Sequence, residues 1–430
     1  MTVNVNEDVR PGRRVIGNVL RGSIGNLIEW YDWYAYTAFS LYFAKVFFPA
    51  GDATAQLLNT AGVFAVGFLM RPIGGWLMGR YADRYGRRAA LTLSVAMMAV
   101  GSLVIALTPG YDSIGVAAPL LLVAARLAQG ISVGGEYATS ATYLSEVATP
   151  GKRGYYSSFQ YVTLTAGQLV ALGVQIILQH TLSSAQMASW GWRIAFVIGA
   201  LGALVVMWLR RTMDESEAFV NQGSSGERGS LRVLLQHPKE CLLVCGLTLG
   251  GTVAFYTYTT YLQKFMVNTS KIDINAVTWV NFLALLAFVV IQPVAGALSD
   301  RIGRRPLLLF FGVAGTLLTV PLLTLLAGTH TPVLAFLIML GSLVIVTGYT
   351  SINAIVKAEL FPTNVRAMGV GLPYALTVAI FGGTAEYIAL WLKQAGHESV
   401  FFYYVAGCVL VSLIVYATMR ETAKESALDD

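Results

Sequence analysis

Twelve stretches of this sequence are apolar over lengths that match a bilayer, and most of its charge lies between them. The runs fall near 17–47, 57–79, 90–108, 116–145, 157–180, 191–210, 240–266, 276–298, 307–327, 332–358, 367–392 and 400–419. A helix needs about 20 consecutive apolar residues to cross the hydrocarbon core, and every backbone polar group inside that core must find its partner within the segment. The expected architecture is an all-α membrane protein of twelve transmembrane helices. Only 12% of the 430 residues are charged, against about 25% in an ordinary soluble domain.

The net charge of +6 does not point to nucleic acid, because the basic residues sit in short segments between apolar spans. With the N-terminus inside the cell, 22 of the 29 Lys and Arg residues fall on the cytoplasmic side. Lys45, Arg193, Lys264, Lys271 and Lys393 fall outside or at outer ends, and Arg71 and Arg126 lie within the membrane. The bias sets the expected orientation, with both termini cytoplasmic. Arg13 and Arg14 precede the first span without a small-residue cleavage site, so that span is expected to remain as an anchor. Three cysteines, Cys241, Cys245 and Cys408, give no disulfide framework and read as packing residues.

The chain changes character between 211 and 239, where Asp214, Glu215 and Glu217 are followed by Asn221-Gln222-Gly223-Ser224-Ser225-Gly226, a charged, flexible composition. This expected cytoplasmic linker separates a six-helix bundle at 1–210 from a second at 240–430. The two bundles repeat each other. Gly79-x-x-x-Asp83-Arg84-x-Gly86-Arg87-Arg88 recurs as Gly296-x-x-x-Asp300-Arg301-x-Gly303-Arg304-Arg305, and Glu146…Arg153-Gly154 recurs as Glu359…Arg366-Ala367. The offsets, 217 and 213 residues, are nearly constant, as expected of parallel repeats related by an axis along the membrane normal.

The repeated loop has a physical logic. Its first glycine lets helix ends approach closely, its aspartate can accept from backbone N–H groups at a neighbouring helix end or from an arginine, and its arginines suit anionic lipid. Gly79, Asp83, Arg84, Gly86, Arg87 and Arg88, with Asp300, Arg301, Arg304, Glu146, Glu359 and Arg366, are expected to form a latch that holds one closed state. The alternative is a basic loop that only fixes topology.

The duplicated loop, with Arg126-x-x-Gln129-Gly130-x-x-x-Gly134-Gly135-Glu136, resembles the signatures of the major facilitator superfamily. The stretches Gly25-Asn26-Leu27-Ile28-Glu29-Trp30-Tyr31-Asp32-Trp33-Tyr34 and Phe68-Leu69-Met70-Arg71-Pro72-Ile73-Gly74-Gly75 are similar to its metabolite:proton symporter family. Residues 56–64, 158–164 and 381–387 resemble the members of that family that take up alpha-ketoglutarate. The resemblance runs from about residue 15 to 420. It implies the major facilitator fold, two pseudo-symmetric six-helix bundles, and a proton-coupled importer of alpha-ketoglutarate or a similar dicarboxylate in the cell inner membrane. Shikimate, citrate or an osmolyte such as proline or betaine would be the cargo of a sibling, and a non-transporting membrane sensor is a more distant reading. In the first repeated loop this chain has Tyr85 where the resemblance implies a histidine.

Ionisable groups inside a membrane are costly unless paired, which makes them functional candidates. Here they are Glu29, Asp32, Arg71, Arg126, Glu136 and Glu386, with Lys264 and Lys357 nearer span ends and Lys357 expected beside Glu359. Glu29 and Asp32 are three residues apart and share a helix face, extended by Trp33 and Tyr36. Two such carboxylates cannot both ionise cheaply, so one should carry a proton. All four histidines, at 180, 237, 330 and 397, fall in loops, leaving proton coupling to Glu29, Asp32 and Arg126. A static ion pair with Arg126 or Arg71 is the alternative. The guanidinium groups of Arg71 and Arg126 suit bidentate recognition of substrate carboxylates. Gln160 and Gln168 share a stripe, as do Thr257, Tyr261 and Lys264, while Tyr256 and Tyr258 are expected to point elsewhere and gate. Substrate contact is thus expected from Arg71, Arg126, Gln160, Gln168, Tyr256, Tyr261 and Lys264, with interhelical packing as the alternative for the neutral ones. There is no Walker A loop and no HExxH, so transport should be secondary rather than ATP-driven, with no cofactor, metal or enzymatic role. The expected partners are a small anionic metabolite, protons and membrane lipid, with the chain acting as a monomer and no nucleic acid bound.

Overall fold

The computed structural model describes residues 11–49, 51–85, 87–134, 151–211, 234–362 and 365–423. Side chains in 11–26 and at several positions of the first repeated loop, Gly79, Asp83, Arg84, Arg87 and Arg88 among them, lie outside that description, as do Gly86, Glu136, Glu146 and most of the expected linker 211–239.

Twelve helical spans are present: α1 (Pro11–Phe47), α2 (Ala53–Tyr85), α3 (Arg87–Leu107), α4 (Ala117–Val133), α5 (Arg153–Thr181), α6 (Ser184–Trp208), α7 (Pro238–Asn268), α8 (Ile274–Ile302), α9 (Arg305–Ala327), α10 (Pro332–Glu359), α11 (Met368–Gln394) and α12 (Glu398–Thr418). No strand occurs among the described residues. Nine of these spans are, by their described residues, both long and apolar enough to cross a membrane. The apolar parts of α3 and α4 are shorter, and α1 interrupts its apolar run with Glu29 and Asp32. Large apolar side chains such as Trp76, Leu107, Leu317 and Val333 are exposed on the outer surface, as lipid-facing positions require.

Local chemistry sets the ends. Asp273 caps α8 by accepting from the N–H groups of Asn275 and Ala276. Ser183 and Gln186 form a reciprocal capping box, so α6 starts at Ser184, earlier than the 191 read from hydropathy. Proline opens α7 and α10, where its missing N–H costs nothing. Three spans contain a π-helical turn, at Met187–Gly191, Thr257–Tyr261 and Val378–Gly382. The polar run Tyr256–Tyr261 that blurs the seventh span in the sequence is therefore a widened turn within a continuous helix.

The halves meet along α5 against α8 and α2 against α11. At the first seam Gly154 faces Gly296: a Cβ on Gly154 would come within 2.6 Å of the Gly296 carbonyl oxygen and collide with Ser299 and Arg304. At the second, Gly383 packs on Phe68 and Gly62 on Tyr387. Small residues thus set how closely the helices approach. Polar bonds cross the seams as well. The Gln168 amide donates to the Thr259 carbonyl at 2.6 Å, Gln179 to Thr278 at 3.1 Å, and the Ile355 N–H to Ser157 Oγ at 3.0 Å.

Candidate functional site

The two arginines expected inside the membrane converge on one ring. The Arg71 guanidinium lies 4.2 Å from the centroid of Trp33 and 3.9 Å from that of Phe68. Arg126 lies 4.1 Å from Trp33 and 4.4 Å from Tyr36. Both arginines are buried. Arg126 Nη1 donates to Gln129 Oε1 at 2.8 Å, and Gln129 donates on to Ser102 at 2.9 Å, so α3 and α4 fix the guanidinium plane. In both residues Nε and Nη2 have no hydrogen-bond partner among the described residues. Those two atoms form one edge of the fork, the edge that receives a carboxylate side-on.

One acid of α1 lies near Arg126. Asp32 is fully buried, with Ser102 and Arg126 as its polar and charged neighbours. Gly199 of α6 makes the room, since a Cβ there would overlap the Asp32 carboxylate. Glu29, one turn earlier, is buried too. Of the residues that helical spacing groups in the sequence, Trp33 and Tyr36 lie against the guanidinium groups that reach in from α2 and α4, and Asp32 lies near Arg126.

The second half supplies Tyr256, and here the structure corrects the expected direction. Tyr256 does not point away: its ring packs edge-on to Phe68 at 5.0 Å and its hydroxyl faces Arg71 and Tyr34. The π-helical turn that begins at Thr257 is the reason, because one extra residue per turn rotates the face that regular 3.6-residue spacing assigns. Tyr258 instead bonds Thr319 within its own half at 2.7 Å. Tyr261 donates to Glu398 at 3.4 Å, within a polar group that includes Thr269 and Lys393. Gln160 is buried on α5, and Gln168 bridges to α7.

Lys264 is not an open cation. Its ammonium lies 2.9 Å from both Glu386 oxygens, an ion pair almost wholly buried. Lys357 lies in the last turn of α10, two residues before Glu359, but its ammonium turns inward: it is fully buried, 2.7 Å from Asn353 Oδ1 and 3.8 Å from the Tyr374 ring centroid. Glu359 takes Arg304 at 3.4 Å and Thr422 at 2.5 Å.

At the loop end the Asp300 carboxylate accepts from the N–H groups of Gly154 at 2.7 Å and Tyr155 at 2.9 Å, the first turn of α5 in the other half. Arg304 holds the same carboxylate at 2.8 Å and also bonds Ser299. Glu421, beyond α12, accepts from the N–H groups of Arg304 and Arg305 at 2.8 and 3.0 Å. Arg366 donates to the Phe361 carbonyl at 3.1 Å. Sequence reasoning missed Glu421 and Thr422, whose signal, an acid and a hydroxyl just after the last span, is faint.

The family model for sugar (and other) transporters matches residues 19–239 and again 230–428, one match to each half. The chain belongs to this transporter family. The alpha-ketoglutarate permease of Escherichia coli is 52% identical to it over 412 residues, 96% of the chain and 95% of the relative. The citrate-proton symporter of Klebsiella pneumoniae is 34% identical over 88% of the chain and 86% of the relative. A crystal structure of a D-xylose-proton symporter superposes with a TM-score of 0.75 at 19% identity, covering 95% of the chain and 98% of the symporter. Solved neighbours of this kind are members of the major facilitator superfamily, so this family member has the twelve-helix major facilitator fold and is a multi-pass membrane protein. Its relatives are transporters, not enzymes.

Proposed function

We propose that the chain is a proton-coupled secondary transporter that imports alpha-ketoglutarate or a similar dicarboxylate across the inner membrane by alternating access. The observation that carries this reading is the pair of buried guanidinium groups meeting at Trp33, each with its Nε–Nη2 edge unpartnered among the described residues. Two such edges match two carboxylates. The 52% identical permease supports the same cargo.

Charge explains the need for protons. Moving a dianion into an inside-negative cell costs about 2.3 kcal/mol per charge per 100 mV, roughly 4.6 kcal/mol for two charges. Co-transported protons cancel that cost. Asp32, buried beside Arg126, is the proton carrier in this reading, with Glu29 as its neighbour. When Asp32 is ionised, Arg126 is its counter-ion. When Asp32 is protonated, Arg126 is released to the substrate, so the arginine links the two events. Tyr256 bonds the cargo from the second half, and Gln160, Gln168 and Tyr261 line or brace the path.

The bundles at 1–210 and 240–430 rock about the linker at 211–239, with the chain working as a monomer in the lipid. Both termini lie in the cytoplasm, which places the Asp300 contact on α5 at the cytoplasmic end. There it latches the closed face, and the repeat assigns Asp83 the matching role. The test is uptake of labelled alpha-ketoglutarate into proteoliposomes with succinate, citrate, shikimate and proline as competitors. Competition by dicarboxylates alone is expected. Competition by proline without succinate would replace this reading with an osmolyte carrier.

A further inference from the structure

The Lys264–Glu386 pair joins two spans immediately after a π-helical turn in each: Thr257–Tyr261 precedes Lys264, and Val378–Gly382 precedes Glu386. Such turns recur at functional sites, where a helix must change register. The pair also sits at the seam between the halves. Tyr36 of α1, whose ring lies under Arg126, faces Glu386, and Gly383 and Tyr387 of α11 pack on Phe68 and Gly62 of α2. One aromatic ring thus separates the arginine site from a second buried cation that already holds a carboxylate.

We propose that Glu386 is a resident stand-in for substrate: one carboxylate of the cargo displaces it from Lys264, and the freed Glu386 takes a proton from the outside solution. This deepens the transport reading above and rests on it. In the exchange the Glu386–Lys264 ion pair breaks, a substrate–Lys264 ion pair forms, and one proton adds to Glu386. With a second proton on Asp32, the loaded site gains two positive and two negative charges, so its net charge is the same empty and full. The charged and titratable groups that face Glu386 are Lys264 and Tyr261 of α7 and Tyr36 of α1, with Glu398 of α12 reached through the Tyr261 hydroxyl. Lys264 supplies the only formal charge in direct contact with it among the described residues. Breaking the pair also removes a tie between α7 and α11 beside their widened turns, which lets loading and closure proceed together.

The experiment measures protons taken up when purified protein in detergent binds alpha-ketoglutarate in weakly buffered solution with a pH indicator. Wild type should take up two protons per bound substrate, and Glu386→Gln one. Two protons in both proteins would overturn the displacement, and so would fewer than two in wild type. No substrate binding by wild type would overturn the underlying transport reading instead. A second measurement needs no folded single variant: the double variant Lys264→Met with Glu386→Gln removes both charges together. Its affinity should fall roughly tenfold to a hundredfold through loss of the cation. Wild-type affinity in that variant would make the pair purely structural and end the proposal.

Discussion

Trp33 touches both guanidinium groups of the site, and its neighbours define what can be tested residue by residue. Arg126→Lys keeps the charge but loses the planar fork and the Gln129 bond. The half-saturating concentration of alpha-ketoglutarate should rise by roughly tenfold or more, read from initial uptake rates. Asp32→Asn cannot exchange its proton, so the ratio of uptake with and without an inward proton gradient should fall, leaving only the part carried by Glu386. An unchanged ratio would move the coupling to another acid. At this scale the sequence is most informative where charge interrupts an apolar run, as at Glu29, Asp32, Arg71 and Arg126. It is silent on pairings made by the fold: Lys264 and Glu386 lie 122 positions apart, and nothing local to either indicates the other. Lys357 makes the same point: it is two residues from an acid in the chain, yet its ammonium meets Asn353, one helical turn back, and the distant Tyr374.

Helix ends carry the contacts that should open and close. Asp300 combines a charge at the first turn of α5 with an arginine partner, an arrangement favoured both by the helix dipole and by charge-assisted hydrogen bonding. Asp300→Asn should weaken closure by about 1–3 kcal/mol, seen as increased alkylation of a cysteine placed on the cytoplasmic part of the cavity wall. No increase would make the loop a topological signal alone. Gly154→Val puts methyl groups where Gly296, Ser299 and Arg304 already sit. Insertion into the membrane should be normal while uptake is lost, checked by surface labelling beside transport. The repeated loop motif foretells that its aspartate caps a neighbouring helix. The clasp of Glu421 and Thr422 on Arg304, Arg305 and Glu359 is not foretold, because single polar residues after a span carry no pattern. The π-helical turns are also hidden, since an inserted residue changes the period only locally. Tyr261 and Lys264, on either side of the end of one such turn, bond Glu398 and Glu386 in turn.

The whole molecule follows from two facts visible in the chain: apolar runs long enough to cross a bilayer, and a repeat offset of just over two hundred residues. Together they require two parallel bundles, and the family model matches once in each half. The seams between them, α5 on α8 and α2 on α11, depend on glycine contacts whose partners are distant in sequence. In the proposed mechanism cargo is linked to protons because the proposed site bridges both halves: Arg71 and Arg126 from the first, Tyr256 and the Lys264–Glu386 pair from the second. The most direct test of that link is accumulation of alpha-ketoglutarate in proteoliposomes whose interior is one pH unit more alkaline than the bath. Accumulation above the external concentration, abolished by a protonophore, is the predicted result. Uptake that merely equilibrates, or that ignores the protonophore, would contradict proton coupling.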